Sequence, residues 1–584
     1  MSFTWYGNQS EAESSDLGPL AVIFPLIQRM KITEIIDQSL YTDPQAEFSA
    51  GTVLSLLVAA RLYSPMALTN VSEWADSSSA DILFGIPAEK LNDDRLGRAL
   101  DRFFEQRHSI LARVALHVSQ EFDVPLTELH YDPTHLLFEG AYENSEPREG
   151  VIAGASGEKG IRSDDQLAAA HITKGRATDD APKGASMVHA GLATYVDEYG
   201  PLPLFGHTVD GNQNGRKAVD EYFALMRKHL QPTSLTMISD RGTFSVGHLL
   251  RLKADGFHAI CSAPWADFSD LFASQHKKLK WKKATYLSIE QQRRRKSNSE
   301  LPQEHYELAV LDHRLQDKVT KGEVDCRVIF VFSTADKKVV RKQRLKHVEY
   351  IRTDLEKIKQ NVARRGPYSD SASISRRIGR LYGNKEAAKY FSWSMVKLSK
   401  RERAKLPKPG PGRGRPTHRF EYSFDEKLMK EDEKRDGYSV VVTTVPKNRG
   451  SADTLFAKFK QQNYSEQINR GFKGPLAVRP IFLHKPERVE ALVFLMIVVL
   501  MLYYLLQRLY RQSVPDDAPQ KERLATTRTI LKAFQGYTLL IHYTRLGREV
   551  QPTRLTRRQR AILQQLGFET PAQILSKRLP RPPT

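Results

Sequence analysis

The chain of 584 residues carries 88 lysines and arginines against 68 aspartates and glutamates, a formal net charge of +20. Hydrophobic residues make up 40% and charged residues 27%, a balance that excludes a largely disordered chain. Its two cysteines, Cys261 and Cys326, lie far apart, which excludes a disulfide framework and a zinc site built on paired cysteines. The excess of positive charge favours nucleic acid as a partner, with a generic basic or membrane-facing surface as the alternative.

Residues 1–118 predict an N-terminal helical domain, because Leu96, Leu100 and Phe103 recur at the spacing of one helix face. No helix-turn-helix pattern stands out in this part. The alternative to a DNA-end-binding domain is therefore a simple packing platform. Residues 1–18 contain no basic start followed by an apolar run, so we expect no secretory signal and a cytoplasmic protein, associated with the nucleoid when bound to DNA.

Residues 119–267 predict the first part of an α/β core. The segments LTELHYD and THLLFEG indicate strands, and a polar stretch, Ala141–Gly184, indicates a loop. The segments VHAGLATYV and PLFGHTVD then predict a hairpin through the turn residues Asp197–Gly200.

A helix over Arg216–His229 follows, then the strand SLTMIS ending at Asp240, a helix from Ser245, and the strand FHAICSA. The order is therefore β-β-β-α-β-α-β, which predicts a mixed α/β sheet. On this prediction Asp132, like Asp240, stands at the end of a strand.

Residues 268–436 interrupt this rhythm and predict a partly basic insertion domain. It contains the basic run Arg293–Lys296, a charged helical segment over Arg341–Val362 and a Pro- and Gly-rich linker over residues 407–416. Residues 437–515 predict the second part of the core, beginning with the strand YSVVVTTV. Residues 516–584 predict a basic helical tail.

An apolar run over Ala491–Leu506 resembles a membrane span, but its sixteen residues fall short of the about 20 that a span requires. Charged segments flank it on both sides. We therefore expect a helix buried in the protein core and no membrane partner.

Two aspartates at strand ends are candidates for metal chemistry. Phosphodiester cleavage without a protein nucleophile uses two divalent cations, which carboxylates on neighbouring strands and a facing helix can hold. The alternative for Asp132 and Asp240, each taken alone, is a turn or capping role. Asp123 and Asp210 compete for the first position but lie outside a strand or at a hairpin edge, and His135 is more typical of a packed histidine than of a ligand.

A third acid, Glu466, lies in the segment FKQQNYSEQINRGFK, where Phe459, Gln462, Glu466 and Lys473 have the spacing of the motif Tyr-x2-Arg-x3-Glu-x6-Lys. This segment, with YDPTHLLFEG, PLFGHTVDGNQN and SLTMISDRGTF, resembles the DDE transposases of bacterial insertion sequences, in the insertion-sequence-four superfamily. Phe459 and Gln462 stand where that motif has Tyr and Arg. Nearby Tyr464 or Arg470 are candidates to compensate.

The resemblance implies an RNase H-like core whose insertion falls between Asp240 and Glu466. It implies that Asp132, Asp240 and Glu466 bind two Mg²⁺ ions, with Mn²⁺ as a substitute. DNA contacts would come from Lys473, Gln462, Phe459, Arg241 and Arg470.

The implied activity is cut-and-paste transposition, in which element ends are cleaved and then joined to target DNA. The implied partners are double-stranded DNA with terminal inverted repeats, target DNA and a second copy of the chain. Two alternatives remain open. One is an RNase H-like nuclease or resolvase without strand transfer, and the other is a non-catalytic DNA-binding protein descended from a transposase.

Overall fold

A computed structural model describes residues 12–41, 44–138, 140, 142–148, 168–175, 186–213, 215–287, 304–363, 371–383, 385–406, 415–473, 483–544 and 547–578. Most of the predicted loop Ala141–Gly184, the basic run Arg293–Lys296 and nearly all of the linker at residues 407–416 lie outside these ranges.

The N-terminal part is helical, as predicted, apart from one strand. It comprises β1 (Ala12–Asp16), α1 (Leu20–Arg29), α2 (Ile32–Ser39), α3 (Ala50–Tyr63), α4 (Val71–Ser77), α5 (Ala80–Phe84), α6 (Asp93–Glu105) and α7 (Arg107–Glu121). Leu96, Leu100 and Phe103 are all buried on one face of α6, which confirms the predicted helix face.

The first part of the predicted core has the predicted order of elements, apart from the two-residue strand β3, which lies in the stretch predicted as a loop. It comprises β2 (Glu128–Phe138), β3 (Thr173–Lys174), β4 (Ser186–Asp197), β5 (Gly200–Asp210), α8 (Gly215–Leu230), β6 (Thr236–Ser239), α9 (Val246–Ala254) and β7 (His258–Ala263). The β4–β5 hairpin turns at the predicted residues, where Asp197 Oδ1 accepts from the Tyr199 N–H at 3.0 Å and Gly200 has φ +121°.

One detail of this part differs from the prediction. LTELHYD and THLLFEG form a single strand, β2, so Asp132 lies inside a strand and not at its end. The next residue, Pro133, is tolerated there for a structural reason. β6 pairs with β2 only as far as Tyr131, so Pro133 lies beyond the end of this pairing, where a proline is tolerated in a strand.

The predicted insertion contributes strands to the main sheet. Its elements are α10 (Ser269–Gln275), β8 (Lys282–Lys283), β9 (Tyr306–Gln316), β10 (Glu323–Ser333), α11 (Thr334–Ala363), α12 (Ser371–Tyr382), β11 (Phe391–Lys397), α13 (Lys400–Lys405), β12 (His418–Phe424) and α14 (Glu426–Glu433). The sheet runs β3-β4-β2-β6-β7-β13-β10-β9-β8, with β5 beside β4 and with β13 formed by Tyr438–Thr443. Among the described residues of the insertion, the part from α11 to β12 has a small core of its own, around Ile351, Leu355 and Phe420.

The remaining elements are α15 (Ala452–Lys460), α16 (Asn463–Lys473), α17 (Pro486–Ser513), α18 (Gln520–Arg523), α19 (Thr527–Lys532), β14 (Thr538–Thr544), β15 (Gly547–Pro552), α20 (Arg557–Leu566) and α21 (Pro571–Arg578). The C-terminal part is therefore not purely helical. β14 pairs with β1 and with β15 in a three-stranded sheet, so that Ala12 lies opposite His542. This pairing joins the two ends of the described chain.

Helix α17 lies at the centre of the protein. Among the described residues it is the one helix long and apolar enough to cross a membrane, unless the bent pair Ala50–Tyr63 and Leu68–Ser77 is counted as one span. Its apolar window is 94% buried against the rest of the chain, as predicted. Its neighbours include α3, α6, α7 and β5, so the N-terminal helices and the sheet share one core.

Candidate functional site

Asp132 and Asp240 come from neighbouring strands at the place where one of them ends. β2 and β6 are parallel, with Tyr131 beside Ser239 in register. Asp132 directly follows Tyr131, and Asp240 directly follows Ser239. Adjacent strands lie about 4.8 Å apart. The two carboxylates therefore belong to adjacent backbone positions, and both side chains are partly exposed.

The residues next to the two aspartates that point to the opposite face of the sheet are buried in the core. Tyr131 packs against Tyr222 of α8, with ring centroids 4.5 Å apart. Burial, together with the negative charge of Asp132 and other acids, holds the pKa of Tyr131 well above its ordinary value. Burial, then Cys326 and Asp240, raise the pKa of Cys261 on β7 to about 12. Tyr131 and Cys261 are thus protonated near neutral pH and act as packing residues.

Asp240 also shapes the turn that follows it. Its Oδ1 accepts from the Gly242 N–H at 2.8 Å and caps a short 3-10 turn over Arg241–Thr243. The predicted capping role is therefore real, and one oxygen of this carboxylate already has a backbone donor. Arg241 is exposed beside it, in a position open to a phosphate.

Helices α15 and α16 are fixed to β2 by three side-chain contacts. Lys458 of α15 forms an ion pair with Glu128, and the Gln462 amide, between the two helices, bonds to the His130 side chain. The Asn469 amide of α16 donates to Asp132 Oδ2 at 2.8 Å. The three strand residues alternate along β2 and so share one face of the sheet. The helix that carries Glu466 therefore crosses the face that presents Asp132.

Gln462, in the turn between α15 and α16, is the most buried of these three residues, 8% exposed against 9% for Asn469. Its amide bonds to β2 through both polar atoms. His130 Nδ1 donates to its Oε1 at 3.0 Å, and its Nε2 donates to the Tyr131 carbonyl at 3.1 Å. Burial lowers the pKa of His130 to about 4, so the ring is neutral near neutral pH. Both polar atoms of the Gln462 amide thus bond to β2, and the expected DNA contact at Gln462 stays a prediction.

Phe459 is likewise turned toward the protein. It is partly buried against an apolar cluster that includes Ile238, Leu455 and Phe456. The ring therefore packs on this cluster, and the expected DNA contact at Phe459 stays a prediction.

Glu466 lies one helical turn before Asn469. At about 100° per residue the two side chains leave the helix about 60° apart, and Lys473 follows Glu466 on nearly the same line. The Glu466 carboxylate lies 3.6 Å from Arg470, with the side chains 59% and 80% exposed. Within the part of the chain that the structure describes, no three Asp, Glu, His or Cys groups are close enough to hold a metal ion.

The structure thus sets the two aspartates at adjacent backbone positions, and Glu466 lies on the helix that contacts Asp132 through Asn469, with its carboxylate 3.6 Å from Arg470. Lys473 ends α16, and its side chain lies outside the described residues. Asn469, which sequence reasoning missed, donates a hydrogen bond to Asp132. Its spacing of seven from Gln462 is the available signal, because i and i+7 share a helix face.

The competing acids have other roles. Asp210 is buried, and its two oxygens accept from the backbone N–H groups of Arg148 and His171 at 3.0 and 2.8 Å, which ties two loop segments to β5. Asp123 is exposed and adopts φ +49° after α7. His135 packs against His189 on β4, with ring centroids 4.6 Å apart, in agreement with the prediction of a packed histidine.

Residues 12–116 match a family described only as a domain of unknown function, DUF4277. This match covers β1 to most of α7 and ends before β2, the first strand of the large sheet. A comparison with curated proteins found no match to the chain.

Proposed function

We propose that the protein is a DNA transposase whose catalytic residues are Asp132, Asp240 and Glu466. The observation that carries the proposal is the pairing of β2 with β6, which sets two aspartates at adjacent backbone positions. The helix bearing the third acid is fixed across the same face by Asn469. A net charge of +20 agrees with a DNA substrate.

We propose further that the sheet is an RNase H-like core. Three antiparallel strands, β2, β4 and β5, are followed through α8 and α9 by two parallel strands, β6 and β7. This order supports the core implied by the sequence resemblance. The long insertion between Asp240 and Glu466 also agrees with that resemblance.

The donor set fits hard divalent cations. Carboxylate oxygens are the ligands that Mg²⁺ and Mn²⁺ take, and adjacent backbone positions for Asp132 and Asp240 support a shared site. Two Mg²⁺ ions, when bound, supply activation of the attacking oxygen and stabilisation of the leaving oxygen. Asp132, Asp240 and Glu466 would hold them, with Glu466 released from Arg470.

The protein's own residues prepare the site in two ways. Asn469 fixes one Asp132 oxygen at 2.8 Å, and the Gly242 N–H fixes one Asp240 oxygen at 2.8 Å. Each aspartate thus keeps a defined orientation. Exposed Arg241 and Arg470 are placed to contact DNA phosphates beside the reacting group.

The decisive experiment uses the purified full chain and a plasmid that carries the DNA flanking both ends of its own coding region. With Mg²⁺ or Mn²⁺ we expect nicks at defined positions near those ends and, with a second plasmid present, joined products. Asp132→Asn, Asp240→Asn and Glu466→Gln should abolish both products while the affinity for DNA stays within about threefold of wild type. Asp123→Asn removes an exposed acid outside the site and serves as the matched control.

The outcomes separate the alternatives. Cut DNA without joined products would favour the nuclease or resolvase. Metal-independent binding without any cleavage would favour a non-catalytic DNA-binding protein. Wild-type cleavage by Asp132→Asn would contradict the assignment of the site.

A further inference from the structure

A cavity of about 690 Å³ lies between the N-terminal helices and the start of α17. Its polar lining comes from Arg61, Thr69, Asn70, His484, Lys485 and Arg488, with one acid, Asp93, at the wall. None of these residues belongs to the proposed catalytic site. A cavity of this volume is in the range of small-molecule sites, about 300–1,000 Å³.

Arg61, near the end of α3, is the unusual member of this lining. Its side chain is 1% exposed, and its Nε and Nη1 atoms are buried without a hydrogen-bond partner. No carboxylate among the described residues forms an ion pair with it. Burial lowers the pKa of Arg61 only to about 10, so it keeps its charge at neutral pH.

A buried, charged and unpaired guanidinium is costly for a folded protein. Arginine avoids that cost by pairing with an anion, since it does not lose its proton at neutral pH. Because no described carboxylate pairs with Arg61, the cavity beside it is where an anion from outside the chain would bind.

The start of α17 adds a second attraction for an anion at the same cavity. Lys485 caps this 28-residue helix and Pro486 is its first residue, so the positive end of the helix dipole faces this region. Lys485 and His484 are exposed at the mouth. Arg488 is held by Asp101 through two bonds of 2.8 and 2.7 Å.

Arg488 is held closely against α6 as well. A Cβ placed on Gly97 would lie 2.4 Å from its Nη1, so glycine at this position lets the guanidinium lie directly against α6. The wall of the cavity near α17 is therefore positively charged. The Asp101 carboxylate already satisfies Arg488, which leaves Arg61 as the cation in need of a partner.

We propose that this cavity binds a phosphate group of a nucleotide, either free or within DNA. Arg61 would pair with the phosphate at the base of the cavity and Lys485 would contact it from the mouth. The apolar side chains of Leu68, Leu483 and Leu492 would cover the sugar or base, and Thr69 and Asn70 offer hydrogen-bonding groups. The proposal does not depend on the transposase function.

The test measures thermal unfolding of the full chain in phosphate-free buffer, with inorganic phosphate or dAMP added. Fluorescence anisotropy with a short labelled duplex is measured on the same proteins. The variants are Arg61→Met, Lys485→Met and the control Arg102→Met, which removes an exposed arginine of α6 outside the cavity. Arg61→Met replaces an unpaired buried charge with an apolar side chain, so we expect its unliganded Tm to equal or exceed that of wild type.

For a free nucleotide, dAMP should raise the Tm of wild type and of Arg102→Met, leave Arg61→Met unchanged and give Lys485→Met a smaller rise. For a phosphate within DNA, the duplex Kd should rise about tenfold in Arg61→Met and less in Lys485→Met, relative to Arg102→Met. If both cavity variants match the control in both measurements, the proposal is overturned. Lys485→Met carries the test should Arg61→Met not fold, and loss or presence of DNA cleavage has no bearing on it.

Discussion

Asn469 gives the sharpest test of the geometry around Asp132, through the substitution Asn469→Asp. The wild-type amide donates to Asp132 Oδ2 at 2.8 Å and the residue is 9% exposed. The variant exchanges this bond for a second carboxylate at the same place. A hydrogen bond to a charged group contributes about 1.5–3 kcal/mol, and all of it is lost.

Repulsion adds to that loss. Two charges about 5 Å apart at an effective dielectric constant of about 20 repel by about 3 kcal/mol. Asp132 is partly exposed, so solvent screening reduces this figure to about 1–2 kcal/mol. We expect Asn469→Asp to lower the free energy of unfolding by about 3–4 kcal/mol at pH 8.

The pH dependence identifies the cause. Repulsion raises the folded-state pKa of the new carboxyl pair above the unfolded value of about 4, so the repulsive penalty is absent below that pH and grows as the pH rises through the folded pKa. Urea unfolding at pH 5 and pH 8 should therefore show a larger deficit at pH 8. Gln467→Asp, an exposed residue of the same helix, is the matched control. A deficit equal to that of the control at both pH values would refute the contact with Asp132.

Three further predictions concern the packing that supports the site. Gln462→Leu should lower the free energy of unfolding by about 2–4 kcal/mol in urea, because it leaves His130 Nδ1 and the Tyr131 carbonyl unpaired; Gln461→Leu should change it far less. Glu490→Gln should cost about 3–5 kcal/mol, because Arg107 at 2.8 Å would remain buried without its charged partner, whereas exposed Glu487→Gln should be nearly neutral. The lowered pKa of His130, about 4, means that the unfolded chain takes up a proton as the pH falls below about 6.5 while the folded chain does not, so stability declines down to about pH 4. His130→Asn should make that decline shallower, and an unchanged pH profile would show that His130 is not buried.

The central sheet could be predicted from sequence because its signals are local. Alternating apolar residues, the turn at Asp197–Gly200 and the Ser245 cap of α9, which accepts from the His248 N–H, each act within a few residues. The pairing of β1 with β14 could not be predicted from sequence, because Ala12 and His542 meet only in the folded chain. The joining of β9 and β10 to the main sheet depends on the same kind of distant pairing.

The candidate site divides in a similar way. Asp132 and Asp240 could be proposed as site residues because each directly follows a run of residues typical of a strand in the same predicted sheet. The roles of Gln462 and Phe459 could not be inferred, because spacing within a helix does not show which face meets the sheet. Asn469 depends on how the whole helix lies across β2.

The remaining question at the site is how much energy holds Glu466 away from the aspartates. Its partner is Arg470, four residues on along the same helix, and both side chains are more than half exposed. Such a pair stabilises a helix by about 0.3–0.5 kcal/mol. The helix itself is fixed to β2 on either side of Glu466, by Gln462 and by Asn469. Since the backbone is already in place and the opposing ion pair is weak, a change of side-chain torsion at Glu466 costs little compared with the ligand bonds that two cations would offer. On the proposed function, Glu466 would join the site when metal and DNA bind, while Asp132 and Asp240 are positioned beforehand.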